Sequence, residues 1–135
     1  MQPEAIGKVL IIDDDPFFIR ILSDAFRENR FEVYTANDGI EGIKKYTETL
    51  PDVVLSDLVM PRMGGVSTCM EITRLAGDRD PIIILLTSMF QELPHEHDTP
   101  EMGARYHFPK SGKPMDIVIL VEELLERRRR QSASS

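Results

Sequence analysis

The sequence predicts an open α/β fold, in which helices cover both faces of one parallel β-sheet. Three observations lead to this fold class. Short apolar and β-branched runs, too short for helices, recur along the chain. Segments with apolar residues at helical spacing separate most of these runs. Two runs end in aspartate, at Asp13 and at Asp57. Strands that alternate with helices in this way pair in parallel through right-handed crossovers.

The first half of the chain predicts three strands and two helices. Asp15 and Pro16 indicate a helix start, because aspartate caps helices and proline fits the first helical position. Pro51 and Asp52 break the chain before the third strand. In order, we expect a leader at residues 1–7, a strand at 8–12, a helix at 16–29, a strand at 32–35, a helix beginning near residue 40, and a strand at 53–57.

The second half begins with a Pro/Gly-rich turn that ends at Gly65. The segment from Met89 to Met102 contains Pro94 and Pro100 and lacks a 3.6-residue period, so a regular helix is not expected there. In order, we expect a helix from Val66 to near Gly77, a strand at 82–86, an irregular fourth helix, a strand at 106–108, a final helix at 114–130 and a polar tail at 131–135.

These elements predict a flavodoxin-like, doubly wound fold with a five-stranded parallel sheet in the order 2-1-3-4-5 and about five helices. They fill the 135 residues as one domain, which we place at residues 8–130.

Composition limits the function classes. The net charge of −7 argues against a nucleic-acid-binding module, although Arg127–Arg130 forms a basic run that we interpret as a solvated helix end. No stretch is apolar enough for a membrane span, and no signal peptide pattern is present. The single cysteine, Cys69, allows no internal disulfide and is expected to pack in the core. We therefore expect a cytoplasmic protein.

The carboxyl ends of parallel strands meet at one rim of the sheet. Asp13 and Asp14 end the first strand, Asp57 the third, Thr87 the fourth, and Lys110 follows the fifth. Three converging carboxylates repel one another and need a counter-charge. Mg²⁺ suits this need, since it binds a few carboxylates together with waters and a substrate phosphate. The hydroxyl and the ammonium group would face that phosphate.

The order of these residues resembles the receiver domain of bacterial two-component response regulators. The resemblance rests on Asp13-Asp14, on Asp57 in the context of a Met-Pro-x-Met-Gly-Gly sequence that begins at Met60, then on Thr87 and Lys110, and it covers roughly residues 7–128. It implies that Asp57 accepts a phosphoryl group from a histidine kinase or phosphotransfer protein. It also implies that the domain signals to a downstream protein or an output domain, with a homodimer as one arrangement.

The resemblance assigns the metal ligands and the phosphoryl-binding groups. Asp14, Asp57 and the main-chain carbonyl of Val59 match the direct Mg²⁺ ligands, and Asp13 matches the acid that holds the ion through water. Thr87 and Lys110 match the groups that bind the phosphoryl oxygens.

The departures from the family pattern lie near the fifth strand and the fourth helix. Lys110 is followed by Ser111 instead of proline, and Lys113-Pro114 comes three residues later, so Lys113 is the alternative lysine. The switch aromatic three residues before Lys110 is His107. Val59 and Met89 border the path of hydrolytic water and are apolar, which implies slow autodephosphorylation.

Several alternatives remain open on sequence alone. The chain could be a degenerate receiver that acts as a protein-interaction module. A haloacid-dehalogenase-type phosphatase would need an Asp-x-Asp continuation that Asp13–Pro16 lacks. A flavodoxin-type electron carrier would need a Gly-rich phosphate loop where this chain has acids. His95 and His97 are too weak a pattern to indicate a metal site.

Overall fold

The computed structural model describes residues 4–60, 62–87 and 106–133. The strands are β1 (Gly7–Ile12), β2 (Phe31–Ala36), β3 (Val53–Asp57), β4 (Ile82–Thr87) and β5 (Tyr106–Pro109). The helices are α1 (Pro16–Glu28), α2 (Gly39–Thr49), α3 (Gly65–Ala76) and α4 (Pro114–Ala133), and a 3₁₀ turn spans Gly77–Arg79.

The five strands form one sheet in the order β2-β1-β3-β4-β5, and all four pairings are parallel. The register places Ile12 opposite Ser56, and Asp57 opposite Leu86. Asp13 and Asp57 therefore leave the same rim of the sheet on adjacent strands. This confirms the predicted flavodoxin-like order.

Alternate residues of the central strands pack into two separate cores, as a sheet covered on both faces requires. On one face, Val9 and Ile11 of β1 pack with residues of α1 and α4, including Phe26 and Val121. On the other face, Leu10 and Ile12 pack with residues of α2 and α3, including Tyr46 and Cys69. Cys69 is buried, and burial raises its thiol pKa to about 12. This agrees with its predicted packing role.

The ends of several elements follow local capping chemistry. The Asp15 side chain accepts hydrogen bonds from the main-chain N–H groups of Phe17 and Phe18, at 3.0 and 3.4 Å, which confirms the predicted cap of α1. Leu50 closes α2 in the left-handed region with φ of 48°.

One expectation about the end of a helix needs correction. Helix α4 continues to Ala133, so Gln131–Ala133 are helical instead of part of a tail. In α3 the buried residues include Thr68, Cys69 and Ile72, and Met70 is 46% exposed. The irregular fourth helix predicted between Met89 and Met102 lies outside the described residues, which contain four α-helices.

Three arginines of the basic run at the end of α4 lie near acidic side chains, and Arg129 donates to the Ile6 carbonyl at 2.5 Å. Arg127 lies 3.6 Å from Glu123, and Arg130 lies 4.0 Å from Glu126, one helical turn earlier. Arg128 lies 3.9 Å from Asp80. These long, exposed pairs each contribute little to stability. They agree with a solvated helix end.

The described helices include none with the length and apolar character needed to cross a bilayer.

Candidate functional site

The site lies at the carboxyl rim of the sheet, where strands β1, β3, β4 and β5 end. The β1 connection turns sharply, because the main-chain N–H of Asp15 donates to Asp13 Oδ1 at 2.9 Å. The same turn makes Asp15 the cap of α1. Asp13 is held further by its own main-chain N–H, which donates to the Ala36 carbonyl at 3.1 Å. Local hydrogen bonds thus fix the first acidic pair.

Asp13 is fully buried, and its second carboxylate oxygen lies 2.7 Å from Lys110 Nζ. This contact pairs two opposite charges at the sheet rim. Burial raises the pKa of Asp13, and the negative charge of Asp57 adds to this effect. Lys110 and the Asp15 N–H oppose it, and the net shift is upward. A buried carboxylate that lies beside two further carboxylates suits an additional cation or a cation-bound water.

Lys110 joins the two strand ends. Its ammonium nitrogen lies 3.3 Å from Asp57 Oδ1 as well as 2.7 Å from Asp13. Burial by itself lowers the pKa of Lys110, but the two carboxylates outweigh it and the net pKa is raised. Lys110 is placed by the backbone as well, since its N–H donates to the Thr87 carbonyl at 2.7 Å. The choice of Lys110 over Lys113 therefore agrees with the geometry; Lys113 is exposed.

Asp57 is the last residue of β3 and is 7% exposed. Burial raises its pKa, while Lys110 lowers it. Asp14 raises the pKa again, and a hydrogen bond from the main chain of Val59 lowers it, with a net upward shift. Lys110 therefore offsets part of the effect of burial on this carboxylate. A buried carboxylate whose pKa is shifted by burial and by nearby charges is a candidate reactive group of a functional site.

The three aspartates form the acidic cluster that the sequence predicted. Asp13, Asp14 and Asp57 each offer a carboxylate oxygen, and these oxygens all lie within 4.8 Å of one another. Asp13 and Asp57 are buried, whereas Asp14 is exposed and opens the cluster to solvent. Hard oxygen donors with an open side fit a Mg²⁺ ion that keeps waters. The donor set is therefore suitable for the metal.

The other predicted residues lie around this cluster. Thr87 ends β4 next to Leu86, the register partner of Asp57, and is 8% exposed. His107 is half-buried in β5 opposite Leu85. Val59 lies two residues beyond Asp57 with its side chain 58% exposed. Met89, His95 and His97 lie outside the described residues.

Two features of the site escaped the sequence analysis. The ring of Phe18 lies under Lys110, with the ammonium nitrogen 4.9 Å from the ring centroid. Gly65, interpreted only as a turn residue, lies so close to β3 that a Cβ atom there would be 2.2 Å from the Asp57 carbonyl oxygen. The Gly-Gly pair was the available signal for this contact. No sequence pattern connects Phe18 with Lys110.

Known proteins of one family are similar to this chain in sequence. The response regulator receiver domain family matches residues 9–122. The transcriptional regulatory protein PrrA of Mycobacterium leprae is 32% identical over 128 residues, covering 95% of this chain and 54% of PrrA. The chemotaxis protein CheY of Listeria monocytogenes is 35% identical over 86 residues, covering 63% of this chain and 71% of CheY.

A solved structure supports the same fold. A CheY-like receiver domain protein from Methanospirillum hungatei superposes with a TM-score of 0.83 at 21% identity, covering 94% of this chain and 99% of that one. The chain spans about half the length of the transcriptional regulators it matches, at 50% and 54% of the first two.

Proposed function

We propose, because this chain belongs to the response regulator receiver domain family, that Asp57 accepts a phosphoryl group from a sensor histidine kinase or phosphotransfer protein. A receiver domain of a two-component system is a signalling component instead of a turnover enzyme. Because the chain belongs to this family, the interpretations as a dehalogenase-type phosphatase and as a flavodoxin-type carrier are no longer supported. The degenerate receiver stays as an outcome of the test below.

The observation that carries this proposal is that Asp57 lies beside a lysine and belongs to an acidic cluster. Asp57 Oδ1 lies 3.3 Å from Lys110 Nζ, and carboxylate oxygens of Asp13, Asp14 and Asp57 all lie within 4.8 Å of one another. In the reaction, an Asp57 carboxylate oxygen attacks phosphorus in line. The oxygen–phosphorus bond forms as the phosphorus–nitrogen bond of the donor phosphohistidine breaks, which leaves an acyl phosphate.

The protein's own groups prepare this step. Lys110 lowers the pKa of Asp57 against the larger effect of burial, and its ammonium group and the Thr87 hydroxyl are suited to bind the transferred oxygens. Asp14, Asp57 and the Val59 carbonyl would hold Mg²⁺ directly, with Asp13 acting through water. When bound, Mg²⁺ supplies positive charge that offsets the charge of the phosphoryl oxygens.

The signalling step follows from the placement of Thr87 and His107 on adjacent strands. Phosphorylation would draw Thr87 towards the phosphoryl group, and His107 would change rotamer into the space that Thr87 leaves. The downstream target is a separate protein or an output domain, and a homodimer is one form of the active state. The net charge of −7 supports the interpretation that this domain does not itself bind nucleic acid.

Intact-mass measurement after incubation with acetyl phosphate and Mg²⁺ tests the proposal. One phosphoryl group, about 80 Da, should be added to the wild type and lost on treatment with hydroxylamine, as expected of an acyl phosphate. Asp57→Asn should remove the labelling, and EDTA should suppress it. A wild-type protein that is folded, binds Mg²⁺ and remains unlabelled would instead be a degenerate receiver.

A further inference from the structure

The loop between β3 and α3 carries the Val59 carbonyl and is anchored at both of its ends. At the first end, the Leu58 N–H donates to the Leu86 carbonyl at 3.0 Å. At the second end, the Gly65 N–H donates a hydrogen bond to the Leu58 carbonyl at 2.9 Å. Between them, the Met60 side chain is 8% exposed and packs in the core shared with α2 and α3.

A third anchor comes from Arg62. Its guanidinium group donates to Asp38 Oδ2, across 24 positions of sequence. Asp38 is 6% exposed and caps α2, because its Oδ1 accepts the Glu41 N–H at 2.8 Å. One oxygen of Asp38 therefore serves the helix cap, and the other holds the loop.

The backbone at Arg62 needs such an anchor. Its φ of 70° lies in the left-handed region, which a residue with a β-carbon adopts at an energetic cost. Asp38, the partner of Arg62, precedes a closely packed residue. Gly39, which follows Asp38, lies so close to α3 and to the loop that a Cβ there would be 2.2 Å from Thr68 Oγ1 and 2.9 Å from the Met63 carbonyl oxygen.

We propose that Arg62 is a positioning residue for metal binding. Through Asp38 it ties the β3–α3 loop to the start of α2 and so holds the Val59 carbonyl in the orientation that a ligand needs. The inference rests on the proposed function, because it assumes that this loop contributes to a Mg²⁺ site. Arg62 acts through the loop and touches neither metal nor phosphate.

The test compares Arg62→Met, Asp38→Asn and the double variant with wild type. Asparagine caps helices as well as aspartate does, so Asp38→Asn removes the ion pair and keeps the cap. The matched control is Arg74→Met, since Arg74 is 68% exposed beside Glu71, against 67% for Arg62. Mg²⁺ affinity is measured by calorimetry, and the rate of labelling by acetyl phosphate is followed against Mg²⁺ concentration.

The half-saturating Mg²⁺ concentration should rise about three- to tenfold in each single variant, less than for a direct partner of a ligand because Arg62 is largely exposed. The labelling rate at saturating Mg²⁺ should stay near that of wild type. A variant whose site is misfolded would instead be labelled more slowly even at saturating Mg²⁺. Arg62→Lys should restore part of the affinity, and Arg74→Met should change nothing.

Two results would overturn the inference. One is an unchanged Mg²⁺ affinity in Arg62→Met and Asp38→Asn. The other is a double variant whose loss equals the product of the two single losses, since a shared ion pair predicts non-additivity. Failure of the wild type to bind Mg²⁺ or to be labelled would instead contradict the proposed function, so the two failures are distinguishable.

Discussion

Replacing Lys110 with methionine should destabilise the domain and make it strongly dependent on pH. The ammonium group lies 2.7 Å from Asp13 and 3.3 Å from Asp57, and the lysine side chain is only 23% exposed. Removing one partner of a buried ion pair costs about 3–5 kcal/mol. Because Lys110 is partly solvated and the carboxyls can take up protons, we expect a loss of about 2–4 kcal/mol in the free energy of unfolding at pH 7.5. For a domain of this size, that lowers Tm by about 10 °C.

The sign of the pH effect follows from the carboxyl pKa values. Burial already raises the pKa of Asp13 and Asp57, and loss of Lys110 removes a group that lowers both. An acid whose pKa is raised on folding binds more protons in the native state above its unfolded pKa. Stability therefore falls as pH rises through that window, by up to about 1.4 kcal/mol per pH unit for each proton. The difference in free energy of unfolding between wild type and Lys110→Met should therefore fall by at least half when the pH is lowered from 7.5 to 5.5.

Thermal unfolding followed by circular dichroism measures this effect, with Lys113→Met as the matched control. Mg²⁺ at ten times its Kd adds about 1.4 kcal/mol to any variant that binds it only when folded. We expect Lys110→Met to gain more than wild type at equal Mg²⁺, because no lysine competes for the carboxylates. The reasoning fails if Lys110→Met has the same Tm as wild type at pH 7.5. It also fails if Lys113→Met lowers the Tm as much as Lys110→Met does.

Three further predictions concern the metal, the lifetime of the phosphorylated state and the lysine. Mg²⁺ should raise the Tm of wild type, and Asp14→Ala should lose most of that rise; an equal rise in both proteins would remove Asp14 from the metal site. Val59→Asn should shorten the half-life of the phosphorylated protein several-fold by mass spectrometry, since an amide can orient water where valine cannot. Ile40→Asn, similarly exposed on α2, should leave it unchanged. Phe18→Leu should slow labelling by acetyl phosphate about two- to tenfold through the lost cation–π contact, whereas Phe17→Leu, at a 71% exposed position, should not.

The strand ends could be predicted from sequence because two strong signals coincide there. A buried parallel strand gives a continuous apolar run, and the residue that ends the run lies at the rim. Asp13 and Asp57 were found in this way. Asp15 was found as a cap because capping depends on neighbours in sequence. Each of these signals is local, and the parallel pairing rule then brings the strand ends together.

The features that sequence analysis missed depend on contacts between distant segments. The contact of Arg62 with Asp38 and that of Phe18 with Lys110 have no period or spacing that predicts them. Tyr46 is fully buried in α2, whereas Ile40 of the same helix is 56% exposed. Apolar character alone does not tell which side of a short helix meets the sheet.

The most direct test of the central claim is to locate the phosphoryl group in the chain. The labelled protein is reduced with borohydride, which converts an aspartyl phosphate to homoserine, and is then digested and sequenced by tandem mass spectrometry. The account predicts homoserine at position 57 alone. Homoserine at position 13 or 14, with Asp57 unchanged, would contradict it.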